Sequence, residues 1–114
     1  MSAQVTTAPG RGPDTVHGAA SPLGSITVED GVLRLVGEID ADLCTHWTTS
    51  RPADLEVLAV DARRVTFLSC AGLGLLFGVA HGRAGVVPLW AGGRAVLRPM
   101  AVTGVADLFD LRPA

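Results

Sequence analysis

Short aliphatic runs alternate along this chain with stretches of helical spacing, and that alternation most narrows the folds open to it. Val32 to Val36, Glu56 to Val60 and Val86 to Trp90 each have the length and apolar content of a strand. Ile26 and Val28 alternate with polar neighbours ahead of Asp30-Gly31, a hairpin turn signal, so the folded part opens with two antiparallel strands. The run from Glu56, ending at Asp61, and the run from Val86 read as strands buried on both faces. Between Val36 and Glu56, Leu43 and Trp47 lie four apart behind Asp40 and Asp42, either of which can cap a helix, and Pro52 follows as a stop. Arg63 to Leu68 leads into a turn. Ala71 to Ala80 then has a helical stripe of Leu73, Leu76, Phe77 and Ala80, closed by His81 to Gly85. Arg94 to Val102 predicts a third helix with Val96, Leu97 and Met100 facing inward and Pro99 forcing a kink or an end. Leu108 to Leu111 adds a last short strand. The sum is an α/β domain, with helices packed on a mixed sheet of four to five strands.

With 114 residues there is room for one domain. Residues 1–23 are rich in Gly, Pro, Ala, Thr and Ser, too poor in large apolar groups to offset their ordering entropy, and read as a flexible tail. His17 within it is expected to be solvated. Residues 24–114 form the domain. The formal net charge is −2, with nine arginines and no lysine, which supplies no basic field for nucleic acid and leaves another protein as the expected partner. Cys44 and Cys70 are the only cysteines, a usage that suits a reducing compartment. The first residues carry no apolar segment of the signal-peptide kind, and no apolar run reaches the roughly 18 residues of a membrane span. A cytoplasmic location is expected.

Two segments carry a more specific message. The first is Leu35-Val36-Gly37-Glu38-Ile39-Asp40, an apolar strand ending in Gly-Glu-Ile-Asp. The second is Val60-Asp61 followed by Val65-Thr66-Phe67-Leu68-Ser69-Cys70-Ala71-Gly72-Leu73-Gly74. In this order and at this spacing the pair resembles the STAS family, named for sulfate transporters and anti-sigma-factor antagonists, from about Ser25 to Leu111. The resemblance implies a STAS-like sheet with its helices, although the further C-terminal helix common in the family is missing from this chain. It also implies a partner, an anti-sigma factor of the serine-kinase type. The docking loop in such antagonists sits where the strand turns into a helix and includes a serine that accepts phosphate. A helix N-terminus there offers free amide donors and a partial positive charge, while phosphate on the loop adds charge and bulk that expel the partner.

Aligned on Gly72-Leu73-Gly74, the family's Asp-Ser pair is Ser69-Cys70 in this chain. The expected partner-binding or regulatory residues are Asp40, Ser69, Cys70, Ala71 and Gly72. Three readings of the departure stay open: Ser69 accepts the phosphate one residue early; Cys70 is a redox switch at a helix start; or the switch is lost and the domain binds constitutively. Asp40 is equally well a helix cap, Asp61 a loop or capping carboxylate, and Cys44 a buried thiol, with a Cys44–Cys70 disulfide decided only by geometry. Trp47 and Trp90 read as packing aromatics.

Catalysis has little to build on. Cys70 with His46 or His81 lacks a third orienting group, the acidic residues between 29 and 56 lack metal-site spacing, and the glycine pairs lack the lysine of a phosphate-binding loop. No cofactor or metal is expected. The leading expectation is a non-catalytic regulatory protein-binding module; the alternative is a structural or ligand-sensing STAS module of a larger signalling assembly. An apolar surface left uncovered by the missing C-terminal helix predicts a homodimer.

Overall fold

The computed structural model describes residues 16–52, 55–82 and 85–113. Strands β1 (Val16–Ala20), β2 (Gly24–Glu29) and β3 (Val32–Ile39) lead to helix α1 (Ala41–Ser50). Then come β4 (Ala59–Leu68), α2 (Cys70–His81), β5 (Val87–Ala91), α3 (Arg94–Thr103), a 3-10 turn (Val105–Leu108) and β6 (Phe109–Pro113). The strands lie side by side in chain order. β1 to β3 pair antiparallel, and β3 to β6 pair parallel. Each parallel step therefore needs a crossover, all three move in the same direction, and right-handed crossovers of that kind put all three helices on one face.

Burial follows that single helical layer. Val28, Leu33, Val60 and Leu89 face one another in register across four strands. None of these four is more than 2% exposed. Their neighbours on the other face are Thr27, Arg34, Asp61 and Trp90, all half-buried or exposed. Over the inner face α1 buries Leu43, Cys44 and Trp47, α2 buries Leu73, Leu76 and Val79, and α3 buries Val96 and Met100. α1 lies against β1 and β2, α2 against α1 and the 3-10 turn, and α3 against β4.

Local chemistry accounts for the joints. Asp30 and Gly31 both have positive φ, 54° and 79°, the backbone of a two-residue hairpin whose twist suits the flanking strands. Gly37 in β3 also has positive φ, and a Cβ there would sit 2.3 Å from the Leu23 carbonyl oxygen, so the glycine of Gly-Glu-Ile-Asp is required by a close backbone approach. α3 runs through Pro99 and stops at Gly104, left-handed with φ 83°.

Several expectations need correction. The stretch assigned to a tail through residue 23 contains β1, because an edge strand gains its order from backbone pairing with β2 and needs only Ala19 in the core. Residues 1–15 and the side chain of His17 lie outside the described residues. Among these, the sheet has six strands rather than four to five. The Glu56 to Val60 run starts its strand later and continues it further, to Leu68, because an uncovered face tolerates Asp61, Arg63 and Arg64 in mid-strand. Neither β4 nor β5 is buried on both faces, and Val86 precedes β5, largely exposed. Phe77 and Leu97, assigned to inward stripes, are exposed, at 49% and 38%. In each helix the buried row lies one position away from them.

Across the β3–β4 pair, Asp61 meets Arg34 at 3.4 Å and Arg63 at 3.0 Å. The Arg63 hydrogen bond, above all, holds the Asp61 carboxyl down to about 2 from an ordinary value of 3.8. A depressed folded pKa stabilises the fold above the unfolded value and loses that contribution as pH falls. Denaturant unfolding of the protein and of Asp61→Asn should therefore differ at neutral pH, and the difference should shrink as pH drops from 3.8 towards 2. Trp47, 1% exposed beneath α1, gives a second test. Trp47→Ala should lower unfolding free energy by about 3–5 kcal/mol in urea titrations, whereas Leu97→Ala should change it by less than about 1 kcal/mol.

Candidate functional site

The parallel pair β3 and β4 ends in step, Ile39 opposite Leu68. One backbone hydrogen bond, Ser69 N–H to the Ile39 carbonyl at 3.0 Å, carries the register just beyond the sheet. Both strands turn there into helices, so the N-termini of α1 and α2 start side by side at one edge. Asp40 caps α1: its Oδ1 accepts from Leu43 N–H at 2.9 Å. Ser69 caps α2: its Oγ accepts from Gly72 N–H at 3.1 Å. Each cap satisfies one of the amide donors that a helix start leaves over.

Next to the two caps lies the Cys44 thiol, buried in α1 within reach of the Ser69 and Asp40 side chains. Burial pushes this thiol above its ordinary pKa. The Ser69 hydrogen bond opposes that rise, and the neighbouring Asp40 charge adds to it. Burial thus keeps Cys44 a neutral thiol. Cys70, by contrast, is exposed in the first turn of α2, and both cysteines are free. Ala71 is half-buried and Gly72 buried. A Cβ at residue 72 would come within 2.5 Å of Leu68 Cδ1, so a glycine lets α2 start directly against the end of β4.

From Cys70 an exposed stripe runs down α2 through Gly74, Phe77, Gly78 and His81. Positions 74 and 78 face open space, which lays the helix backbone bare. Phe77 stands between them, its ring 4.2 Å from that of His81. Phe67, half exposed, lies at the end of β4. The sequence reading missed Phe77 as a surface group. Its signal was the glycine pair four apart, in step with Cys70, which marks a side of the helix with nothing to pack.

The expected residues are placed as follows. Asp40 and Ser69 are half-buried caps, Cys70 is exposed, Ala71 and Gly72 line the turn beneath, and all five fall at the C-terminal ends of the two central strands. Asp61 lies away from it, in mid-strand on the other face. Trp47 is core and Trp90 half-buried. His81 is eleven positions from Cys70 on the same helix, about 16 Å along the axis, too far to serve it as a base. Among the described residues, no three His, Cys, Asp or Glu side chains gather as they would around a metal ion. No helix is long and apolar enough to cross a membrane.

Neither a family model nor a curated protein matches the sequence. Among solved structures, the chain is similar to the crystal structure of an anti-sigma factor antagonist from Mycobacterium paratuberculosis. The two share 26% identity and a TM-score of 0.58, over 90% of this chain and 89% of the other. With that likeness across nearly all of both molecules, and with Gly37 to Asp40 and Phe67 to Gly74 meeting at the ends of two neighbouring strands, the chain has a STAS-like fold similar to that of an anti-sigma factor antagonist.

Proposed function

We propose that this protein is a non-catalytic regulatory module that docks an anti-sigma factor of the serine-kinase type and so releases a sigma factor. One observation carries the reading: the first turn of α2 stands exposed beside the start of α1, with Cys70 at its tip and a bare helix stripe below. A protein surface laid on that edge meets two helix N-termini, the accessible backbone at 74 and 78, and the Phe77 ring. Aromatic groups beside small residues suit a tight contact with little side-chain entropy to lose. Asp40, Ser69, Cys70, Ala71 and Gly72 form its centre. The module acts in the cytoplasm, where both thiols stay reduced. Leu108 and Leu111, partly exposed at the last strand, fit a homodimer formed through that end.

The phosphate switch of such antagonists is absent in this reading. Cys70 stands where the acceptor serine is expected and offers no hydroxyl. The Ser69 hydroxyl is half-buried and caps α2, so phosphate there would break the cap. The domain then binds its partner constitutively.

Incubation with a cognate anti-sigma kinase and ATP should leave the protein unmodified, while Cys70→Ser should gain phosphate on the new hydroxyl. Phosphate on Ser69 of the unaltered protein would refute the constitutive reading. In a pull-down with the same kinase, Cys70→Asp should weaken binding by about tenfold or more through charge brought into the contact. Full binding by Cys70→Asp would remove the edge from the interface.

A further inference from the structure

Among the described residues, the other face of the sheet carries no helix. Across it, in register, run Thr27, Arg34, Asp61, Trp90 and Arg112, one residue from each of five adjacent strands. The β3–β4 pairing slips in this region: Arg34 pairs with Asp61, but Val36 pairs with Arg64, so β4 spends one residue more than β3. Such a bulge re-aims side chains. Here it leaves both Arg63 and Arg64 exposed, where strict alternation would bury one of them. Arg34, Val36, Asp61, Arg63 and Arg64 line an open cavity of about 540 Å³.

Charge is concentrated there. The protein as a whole is −2, yet the cavity gathers three guanidiniums around one carboxylate. Arg34 and Arg63 share Asp61. Arg64 has no ion pair among the described residues. Further along the row, Arg112 is paired with Asp110 at 2.8 Å and lies over the Trp90 ring at 5.9 Å, so the positive excess stays at β3 and β4.

We infer that this open face, centred on Arg34, Arg63 and Arg64, docks an acidic segment of a second protein. Arginine forks match carboxylates two bonds at a time. The volume alone would admit a small anion, but a small ligand is held by walls that bury most of its surface. The Arg34 and Arg63 side chains are 47% and 52% exposed and enclose nothing. A shallow arginine-rich surface with a half-buried tryptophan at its side suits a protein partner. This contact is independent of the α2 edge, which lies at the strand ends.

The test uses the full chain and a fluorescent oligoglutamate peptide, followed by anisotropy at low salt. The protein should bind the peptide, and added salt should weaken binding. Arg64→Gln, which leaves both Asp61 ion pairs in place, should weaken it several-fold, and Arg63→Gln with Arg64→Gln by about tenfold or more. Cys70→Asp should leave it unchanged, which keeps this site distinct from the proposed kinase contact. Circular dichroism verifies that each variant is folded. Absence of peptide binding, equal binding by a folded double variant, or displacement of the peptide by equimolar inorganic pyrophosphate would each overturn the inference, the last by assigning the cavity to a small anion.

Discussion

The hydrogen bond from Ser69 N–H to the Ile39 carbonyl joins the last residues of two parallel strands, and it fixes where two helices begin. Because β3 and β4 end in step, Asp40 and Ser69 become neighbouring caps, and α1 and α2 leave the sheet together. Cys44 is buried next to Ser69 and Asp40, while Cys70 remains in solvent. A loop at this corner would be mobile. In the proposed docking, two helix starts held by side-chain caps would present a preformed surface, which lowers the ordering cost of binding.

The single helical layer has a second consequence. A sheet covered on both sides would have to bury Asp61, Arg63 and Arg64, at a desolvation cost that ion pairs rarely recover. With one face open, β4 can be long, charged and bulged. The same strand then serves two surfaces: its end delivers Ser69 to the helix corner, and its middle presents guanidiniums to solvent. Nine arginines with no lysine suit the second role, since the planar fork keeps its geometry when half exposed.

Much of this was legible in the sequence because the physics is local. Asp30-Gly31 forms its hairpin, Leu43 and Trp47 share a buried face, and the small residues after Leu68 start a helix. The errors came where a tertiary decision overrides local pattern. Val16 to Ala20 has no apolar stripe of its own and is ordered by pairing with β2. Arg63-Arg64 looks like a break in a strand until one face of the sheet is known to be open. Phe77 fits a helical stripe by spacing alone, yet the row that packs is Leu73, Leu76 and Val79. At the proposed docking corner, the sequence named Asp40 and Ser69 to Gly72 through a family resemblance. Their joint placement, and the burial of Cys44 between the caps, depend on strand register, which no single segment encodes.

The central claim is that partner contact is made at the paired helix starts and along the bare side of α2. Hydrogen exchange of the full protein, free and saturated with a cognate anti-sigma kinase, tests it most directly. The account predicts added protection over residues 40–44 and 69–78, with residues 32–36 and 61–66 unchanged by the kinase. Protection confined to the open sheet face, or a kinase complex that leaves residues 69–78 as exchangeable as in the free protein, would contradict it.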